Sequence, residues 1–248
     1  MRAMILAAGL GTRLRPLTDN CPKALVAIDG RTLLEITLSR LRTFGISEVI
    51  INVFHFADMI VEYLRANHNF GMRLEISREE VLLDTGGGLK KAARFFLEDS
   101  SGPDEPLIVH NVDVLSTIDL LRLTEFHTKH QALATLAVQD RPTSRYLLFD
   151  ESLLLCGRQL GANQLELVRG CQKMLALAFS GIQVISPRLL LMMTEDGAFS
   201  IITTYLRLAA QEEKILAFRA DDYYWRDLGK PENVAQAERD VKQNLIAL

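Results

Sequence analysis

Cysteine is scarce in this sequence. Three cysteines occur among 248 residues, Cys21, Cys156 and Cys171, and no two of them have CxxC spacing. An odd number of widely separated cysteines argues against a zinc centre and against a disulfide framework. We therefore expect a cytoplasmic protein, in a reducing compartment.

The chain also lacks an excess of positive charge and a long hydrophobic run. Its net charge is −3, so no basic surface is expected for a nucleic-acid duplex. No apolar run reaches the roughly 20 residues of a membrane span. The short N-terminal run is followed by glycines and cations, which argues against a signal peptide. Neither nucleic acid nor a membrane is expected as a partner.

The sequence does contain ample apolar residues, 48% of the total, and a regular alternation of strand and helix patterns. This alternation predicts a single α/β domain with a mostly parallel sheet and helices on both faces. Strands are predicted at 3–8, 48–53, 72–77, 106–110, 133–139, 146–149, 153–156, 165–168, 176–185 and 215–219. Helices are predicted at 32–44, 57–66, 86–97, 118–130, 187–193, 201–211 and 231–244.

The first predicted strand ends in a glycine loop that carries several cations. Gly9 and Gly11 leave backbone N–H groups open to a ligand, and Arg13, Arg15 and Lys23 follow within a few residues. Glycines permit close approach of a phosphate oxygen to the backbone, and cations balance its charge. The loop therefore predicts phosphate binding.

Two common phosphate loops do not fit this stretch, and a third does. The dinucleotide fingerprint fails at Leu14 and Pro16, and the Walker A pattern is absent. The string LAAGLGTRLRPLT over residues 6–18, followed by Pro-Lys at 22–23, resembles the sugar-nucleotide nucleotidyltransferases. The resemblance implies an α/β/α sandwich with a mixed sheet, Rossmann-like and glycosyltransferase-A-like. One departure is Ala24, where many relatives have proline.

The resemblance also implies roles for the residues of this loop. Arg13 is expected at the β- and γ-phosphates, because its planar guanidinium donates several hydrogen bonds. Lys23, a point charge fixed behind Pro22, is expected at the α-phosphate. These two cations are the predicted catalytic residues. The predicted nucleotide-binding residues of the loop are Leu6, Ala8, Gly9, Gly11 and Thr12.

A second glycine cluster, Thr85-Gly86-Gly87-Gly88, follows Asp84. The corresponding region of the family contacts the nucleobase and ribose, and the N-acetylmuramate-1-phosphate uridylyltransferases carry a very similar string. With so little side-chain bulk, we expect a base to be recognised by backbone N–H and C=O groups. The acceptor–donor–acceptor edge of uracil suits a narrow slot of this kind, which favours UTP.

Two carboxylates are predicted to bind Mg²⁺, the expected cofactor. Asp113 follows a strand in a stretch similar to the family's Asn-Gly-Asp, with Val112 in place of the glycine. Asp227 lies in WRDLGKP, which is similar to the family's C-terminal motif. Mg²⁺ usually takes one or two carboxylates together with phosphate oxygens. Asn111 is a predicted nucleotide contact, and His110 is interpreted as a polar residue at a strand end.

The acceptor site is predicted around Gly181, in a stretch that resembles the family's turn beneath the sugar. Many relatives hold the sugar phosphate with a lysine after the strand at 133–139, and this chain lacks that lysine. Arg141 and Arg145 are the candidate replacements, and a solvated loop is the alternative. Gly181 and Arg145 are the predicted substrate-binding residues.

These motifs predict one nucleotidyltransferase domain over residues 1–248. Residues 1–130 are expected to bind the nucleotide and residues 131–248 the sugar phosphate. The expected reaction converts an NTP and a sugar 1-phosphate to an NDP-sugar and pyrophosphate, without a covalent intermediate. UTP with N-acetylmuramate 1-phosphate or a related aldose 1-phosphate is the first choice. The enzyme is expected to be a monomer or a homodimer.

Three alternatives stay open on the sequence alone. A guanylyltransferase for mannose or heptose 1-phosphate would share the fold, the metal site and the in-line mechanism, although many guanylyltransferases differ in the second glycine cluster. A cytidylyltransferase for phosphocholine would use Tyr223, Tyr224 and Trp225 to enclose the quaternary ammonium group. A sugar-nucleotide sensor would bind without catalysis, although a pure binding module has no need for two metal carboxylates.

Overall fold

The computed structural model describes residues 1–98, 105–161 and 164–248. The strands are β1 (Arg2–Leu6), β2 (Ala27–Ile28), β3 (Arg31–Thr32), β4 (Glu48–Val53), β5 (Arg73–Arg78), β6 (Leu107–Asn111), β7 (Val114–Ser116), β8 (Ala134–Gln139), β9 (Arg145–Phe149), β10 (Leu155–Leu160), β11 (Gln164–Leu167), β12 (Leu175–Ile185), β13 (Ile215–Arg219) and β14 (Trp225–Asp227). The helices are α1 (Leu33–Thr43), α2 (Ala57–Ala66), α3 (Asp84–Leu97), α4 (Leu120–Lys129), α5 (Pro187–Leu191), α6 (Ile201–Ala210) and α7 (Pro231–Lys242). None of the helices within these ranges has the length and apolarity needed to cross a bilayer.

A mixed sheet of ten strands forms the centre of the molecule. Strands β5, β4, β1 and β6 are parallel neighbours in that order. Strand β12 pairs antiparallel with β6, and β8 and β13 follow on its other side. The first part of β12 also pairs with β9, which continues the sheet through β10 to β11. Strand β12 therefore joins the parallel half to the antiparallel half.

Helices cover both faces of this sheet. On one face α1, α2, α4 and α7 pack over Ala3 and Ile5 of β1, and on the other α3, α5 and α6 pack over Met4. All three β1 side chains are fully buried, as expected when alternate residues of a strand point to opposite covered faces. The predicted α/β/α sandwich with a mixed sheet is confirmed. The sheet is not mostly parallel, however, because β12 pairs antiparallel with β6, β8 and β9, and β10 pairs antiparallel with β9 and β11.

The helix ends follow the local sequence. The Thr32 side chain accepts a hydrogen bond from the Glu35 amide at 3.1 Å and caps the start of α1, and Asp119 caps α4 by accepting from the amides of Leu121 and Arg122. Such caps satisfy amides that have no partner within the helix. They explain why the predicted boundaries lie within a few residues of those observed.

Two pairs of short strands do not appear in the sequence prediction. Strand β7 pairs antiparallel with β14, and β2 pairs antiparallel with β3. Each of these strands has only two or three residues, too few to show a two-residue alternation of polarity. The β7–β14 pair is formed between segments more than 100 residues apart, and it is the pair that shapes the functional site.

Two histidines are buried in the interior. Burial lowers the pKa of His127 from 6.5 to about 4, and its two ring nitrogens lie 3.0 Å from Thr135 Oγ1 and 3.1 Å from Ser186 Oγ. Burial, reinforced by the positive charge of Arg40, lowers the pKa of His110 to about 4. Both imidazoles are therefore neutral at neutral pH.

These histidines are expected to make the fold sensitive to acid. Their folded pKa values lie below the 6.5 of the unfolded chain, so the unfolded state binds more protons between pH 6.5 and 4 and the free energy of unfolding falls as the pH is lowered. Each histidine contributes a slope that approaches about 1.4 kcal/mol per pH unit. Urea unfolding of wild type and His127→Gln at pH 7.0, 6.0 and 5.0 measures this slope. The variant should lose about 1 kcal/mol per pH unit of it; an unchanged slope would contradict the prediction.

Candidate active site

The loop after β1 is held in shape by hydrogen bonds at both ends. The Ala7 amide donates to Asn52 Oδ1 at 2.7 Å, and Thr18 Oγ1 donates to the Gly11 carbonyl at 2.8 Å. Gly11 has a φ of 66°, which glycine adopts without strain, and it begins a short 3-10 turn over Thr12–Leu14. Leu14 is fully buried beneath the turn. The loop is thus anchored although its outer side chains are exposed.

A cavity of about 450 Å³ opens beside this loop, at the carboxyl ends of β1, β4 and β6. Ligands of α/β sheets commonly bind at such an edge. Its lining consists of Leu6, Ala8, Gly9, Lys23, Asn52, Leu82, Asp84, Thr85, Asn111, Val112, Asp113 and Ala198. We call it the nucleotide cavity. Among the predicted site residues in the loop, Gly11 and Thr12 are absent from its lining.

A buried polar pair, Asn52 and Glu79, connects this loop to the start of α3. Asn52 Nδ2 donates to Glu79 Oε1 at 2.7 Å, while Glu79 Oε2 accepts from the Leu83 amide at 2.9 Å. Both side chains are buried, where unpaired polar groups would be costly. Sequence analysis missed both residues. The available signal was a polar asparagine inside the otherwise apolar strand EVIINV.

The glycine cluster of α3 has a different environment from the one predicted. Gly86, Gly87 and Gly88 are buried within the first turn of the helix and do not line the nucleotide cavity. A Cβ at Gly86 would collide with Phe199, and one at Gly88 would lie 2.7 Å from Asn52 Nδ2. These three glycines therefore serve close packing, whereas Asp84 and Thr85 face the cavity. The helix also begins at Asp84, before the glycines.

Asp113 lies where three segments of the chain meet. Its carboxylate forms an ion pair with Lys23 Nζ, and both side chains are largely buried. Its carbonyl accepts from the Leu228 amide at 2.8 Å. Because β7 pairs with β14, Asp227 lies directly opposite Val114, the residue after Asp113. The strand pairing thus brings the backbone of Asp227 beside the residue that follows Asp113.

A second cavity, of about 600 Å³, adjoins the first. We call it the acceptor cavity, and it shares Asn111 and Asp113 with the nucleotide cavity. Its other lining residues are Arg13, Val114, Arg141, Thr143, Ser144, Arg145, Phe179, Ser180, Gly181, Trp225 and Asp227. Both predicted substrate-binding residues, Gly181 and Arg145, are therefore present here.

Gly181 lies in a bulge of β12 at the floor of the acceptor cavity. The register of β12 against β8 shifts between Phe179 and Gln183, and Gly181 has a φ of 73°. A Cβ there would lie 2.9 Å from Asn111 Nδ2. Glycine is thus required both by the backbone conformation and by the close approach of Asn111.

Arg141 is the most firmly held cation of the acceptor cavity. Its guanidinium stacks 3.6 Å from the centre of the Trp225 ring, and its Nη2 donates to the Phe179 carbonyl at 2.9 Å. Its Nε is buried without a hydrogen-bond partner. Burial lowers the pKa of Arg141, while the carboxylate of Asp227 raises it. Arginine keeps its charge even when it is partly buried. The N–H groups of Arg141 that have no partner can therefore donate hydrogen bonds to an anion.

Arg13 lines a different cavity from the one predicted, whereas His110 lines neither cavity. Arg13 lines the acceptor cavity rather than the nucleotide cavity, and its guanidinium lies against Gly229, where a Cβ would be 2.8 Å from Nη2. His110 is buried beneath the site, and its Nδ1 lies 2.8 Å from the Asn111 carbonyl. It lines neither cavity, which agrees with its interpretation as a strand-end residue without a catalytic role.

Comparison with known proteins finds relatives over nearly the whole chain. Residues 2–148 match the family model described as nucleotidyl transferase. The chain is 31% identical over 245 residues to the N-acetylmuramate alpha-1-phosphate uridylyltransferase of Caulobacter vibrioides, covering 95% of each protein. It is 26% identical over 245 residues to the D-glycero-alpha-D-manno-heptose 1-phosphate guanylyltransferase of Aneurinibacillus thermoaerophilus, covering 98% of this chain and 99% of that one.

Solved structures show the same fold. The crystal structure of HddC from Yersinia pseudotuberculosis complexed with GMP-PN superposes with a TM-score of 0.76 at 22% identity, covering 97% of this chain and 99% of that one. The family model and the full-length relatives agree with the motif that opens the sequence. The chain belongs to the nucleotidyl transferase family and is a sugar-1-phosphate nucleotidyltransferase.

Proposed function

We propose that this enzyme uses UTP and N-acetylmuramate 1-phosphate, or a related aldose 1-phosphate, to form a UDP-sugar and pyrophosphate. The observation that carries the proposal is the meeting of two cavities at Asn111 and Asp113. A nucleotide in one and a sugar phosphate in the other would place the acceptor oxygen next to the α-phosphorus. That oxygen forms the new P–O bond in line as the bond to the bridging oxygen of the pyrophosphate breaks.

The nucleotide half of this site would comprise residues 1–130 and the acceptor half 131–248. The lining of the nucleotide cavity supports the first assignment, since only Ala198 comes from the second half. The acceptor cavity draws most of its lining from 131–248, with Arg13, Asn111, Asp113 and Val114 as the exceptions. Action as a monomer or a homodimer in the cytoplasm remains part of the proposal.

Lys23 would stabilise charge at the α-phosphate. Its ammonium group faces the nucleotide cavity and is paired with Asp113. Phosphoryl transfer depends mainly on positioning and on stabilisation of negative charge, and little on acid–base chemistry. An exchange of the Asp113 carboxylate for a phosphate oxygen would bring the ammonium to the reacting group.

The donor set of Asp113 and Asp227 fits Mg²⁺. Both are hard carboxylate ligands that line the acceptor cavity, and Asp227 Oδ1 accepts from the Gly229 amide at 2.9 Å, which leaves Oδ2 for a cation. The described residues contain no cluster of three or more metal-binding side chains. Such a pair suits Mg²⁺, which completes its shell with phosphate oxygens and water. The bound ion would supply charge neutralisation at the phosphates.

Arg141 would bind the sugar phosphate in place of the lysine found in many relatives. Its stacking on Trp225 and its bond to Phe179 fix the guanidinium before substrate binds. A preformed donor array loses little freedom on binding, and arginine binds phosphate through paired hydrogen bonds. Gly181 would allow the sugar ring to approach the backbone.

A guanylyltransferase for heptose 1-phosphate is the second candidate, because the Aneurinibacillus relative matches along its whole length. The proposed uridine preference rests on the Caulobacter relative. A phosphocholine site is not supported. The ring of Trp225 is covered by Arg141, and the Tyr224 hydroxyl donates to Asp240 at 2.6 Å.

A panel of nucleotides and acceptors tests the proposed function directly. Pyrophosphate release is measured for UTP, dTTP, CTP and GTP, each with N-acetylmuramate 1-phosphate, glucose 1-phosphate and mannose 1-phosphate. We expect the highest kcat/KM with UTP, and strong rejection of CTP, because cytosine reverses the hydrogen-bond pattern at N3 and C4 and leaves buried groups unpaired. A preference for GTP would replace the uridylyltransferase proposal with the guanylyltransferase one.

Lys23→Ala is expected to lower kcat by about 100- to 1000-fold, since its charge acts where negative charge develops. The KM for UTP should change much less. Steady-state kinetics at saturating acceptor provide the test. Arg15→Ala is the matched control and should retain wild-type turnover. Arg15 lies on the same loop, its side chain is 69% exposed, and among the described residues it forms an ion pair only with Asp19, at 3.4 Å. An unchanged kcat in Lys23→Ala would remove Lys23 from the mechanism.

Arg13→Ala is expected to raise the KM for UTP about tenfold, through loss of contacts to the β- and γ-phosphates. Its kcat at saturating UTP should stay close to that of the wild type. Initial rates, measured while the concentrations of UTP and of the acceptor are varied in turn, give the KM for each substrate. A rise in the KM for the acceptor instead would mean that Arg13 acts within the acceptor cavity.

Asp227→Asn is expected to weaken metal binding rather than to unfold the protein. The amide keeps an oxygen that can accept from Gly229 but loses the charge that holds a cation. Paramagnetic resonance of Mn²⁺, in the presence of a non-hydrolysable UTP analogue, should show a Kd raised about tenfold or more. Asp222→Asn alters an exposed carboxylate nearby and serves as the control. Equal Mn²⁺ affinity in both variants would make Asp227 a structural cap.

A further inference from the structure

A third cavity, of about 430 Å³, opens from the side of the acceptor cavity. The two share Thr143, Arg145 and Phe179. Asp113, at the reacting centre, does not line this side cavity, whereas Arg145 is one of the substrate-binding residues predicted from the sequence. Its position suits a substituent that an acceptor carries beyond its phosphate and sugar ring.

The β9–β10 hairpin places two arginines on the wall of the side cavity. In its register Arg145 is opposite Leu160, and Leu147 is opposite Arg158. Residues that pair across strands, or lie two apart along one strand, share a face of the sheet, and diagonal neighbours are within about 8 Å. All four side chains line the cavity. The two guanidinium groups therefore lie on the same face, separated by apolar residues.

Apart from its two arginines, the lining of the side cavity is uncharged, and Thr143, Tyr146 and Ser200 contribute hydroxyl groups to it. Leu147, Leu160, Phe179 and Ile202 contribute carbon surface, and of the described residues that line it none is acidic. Glu166 lies outside the lining and binds Arg158 through Nε, at 2.7 Å. This bond fixes the guanidinium and leaves its Nη groups for a ligand.

The N-terminus of α6 adds to the positive character of this cavity. Ser200, the N-cap of the helix, and Ile202 in its first turn both belong to the lining. The start of a helix carries a partial positive charge that favours anions. Two arginines, a helix start and apolar walls together match a short carbon chain that ends in a carboxylate.

We propose that the acceptor is a sugar 1-phosphate with a second, carboxylate-bearing substituent, which binds in the side cavity with its carboxylate on Arg145 and Arg158. The proposal rests on the nucleotidyltransferase function above and narrows its acceptor. Arg141 binds the 1-phosphate, and the second pair of arginines binds the second anion. A lactyl ether on the sugar ring, as in N-acetylmuramate, has the required chemistry.

Two acceptors that differ only in this substituent test the proposal. N-acetylmuramate 1-phosphate carries the lactyl ether, and N-acetylglucosamine 1-phosphate carries a hydroxyl at the same carbon. We expect wild-type kcat/KM with UTP to be at least about tenfold higher for the first, as for a charge-assisted hydrogen bond. The primary amide of the lactyl group nearly keeps the shape, lacks the charge, and should lose most of this preference.

Arg158→Gln is the decisive variant, because Arg158 lines only the side cavity. It should lower kcat/KM for N-acetylmuramate 1-phosphate about tenfold and leave that for N-acetylglucosamine 1-phosphate within about twofold. Arg145 lines both cavities, so Arg145→Gln should lower kcat/KM for both acceptors, and more strongly for N-acetylmuramate 1-phosphate. Arg141→Gln should reduce kcat/KM equally for both acceptors, since both carry the 1-phosphate. Arg188→Gln removes an exposed arginine of α5 that pairs with Glu213 at 2.8 Å, and should change neither.

Equal loss with both acceptors in Arg158→Gln, or no wild-type preference for the lactyl-bearing acceptor, would overturn the proposal. In either case pyrophosphate release would still support the nucleotidyltransferase function. If UTP releases no pyrophosphate with any acceptor in the panel, the proposed function fails independently of the carboxylate proposal. Calorimetry then decides the carboxylate proposal: wild type should bind N-acetylmuramate 1-phosphate more tightly than N-acetylglucosamine 1-phosphate, and equal affinities would refute it.

Discussion

The ion pair between Lys23 and Asp113 joins the segments from which the site is built. Lys23 belongs to the loop after β1, Asp113 follows β6, and the carbonyl of Asp113 accepts from Leu228 after β14. Both charges are largely buried, where screening by salt is weak and an unpaired charge would be costly. The same two groups are those proposed to meet the phosphates and the metal. Under the proposed function, substrate binding would therefore break the Lys23–Asp113 ion pair that joins these segments.

Positive charge is concentrated along the acceptor side although the chain as a whole has a net charge of −3. Arg13, Arg141 and Arg145 line the acceptor cavity, and Arg158 continues this row into the side cavity. Local fields of this kind attract an anionic substrate even when the overall charge is negative. Asp113 pairs with Lys23, and the carboxylate of Asp227 opposes the lowering of the Arg141 pKa by burial. The remaining positive charge of these arginines would be available to bind a phosphate and a second anion.

The glycines of α3 are buried by packing and do not line the nucleotide cavity. Gly86 lets the helix approach Phe199, whose carbonyl accepts from the Gly86 amide at 2.9 Å. Gly88 leaves room for Asn52 and Glu79, which connect this helix to the first loop. Dense packing transmits position over such contacts. The cluster thereby fixes the place of Asp84 and Thr85, which do face the nucleotide cavity.

The longer strands and helices, the sandwich fold and the glycine loop after β1 could be predicted from the sequence, because periodicity, caps such as Thr32 and an uninterrupted motif are local properties. That Asp113 and Asp227 line one cavity could not be predicted, since Asp227 lies opposite Val114 through a three-residue strand with no pattern of its own. Only the tertiary structure also decided that Arg141 stacks on Trp225 and that Arg145 and Arg158 share a face. These arrangements depend on pairing register and on contacts between distant segments, which no local pattern of residues encodes.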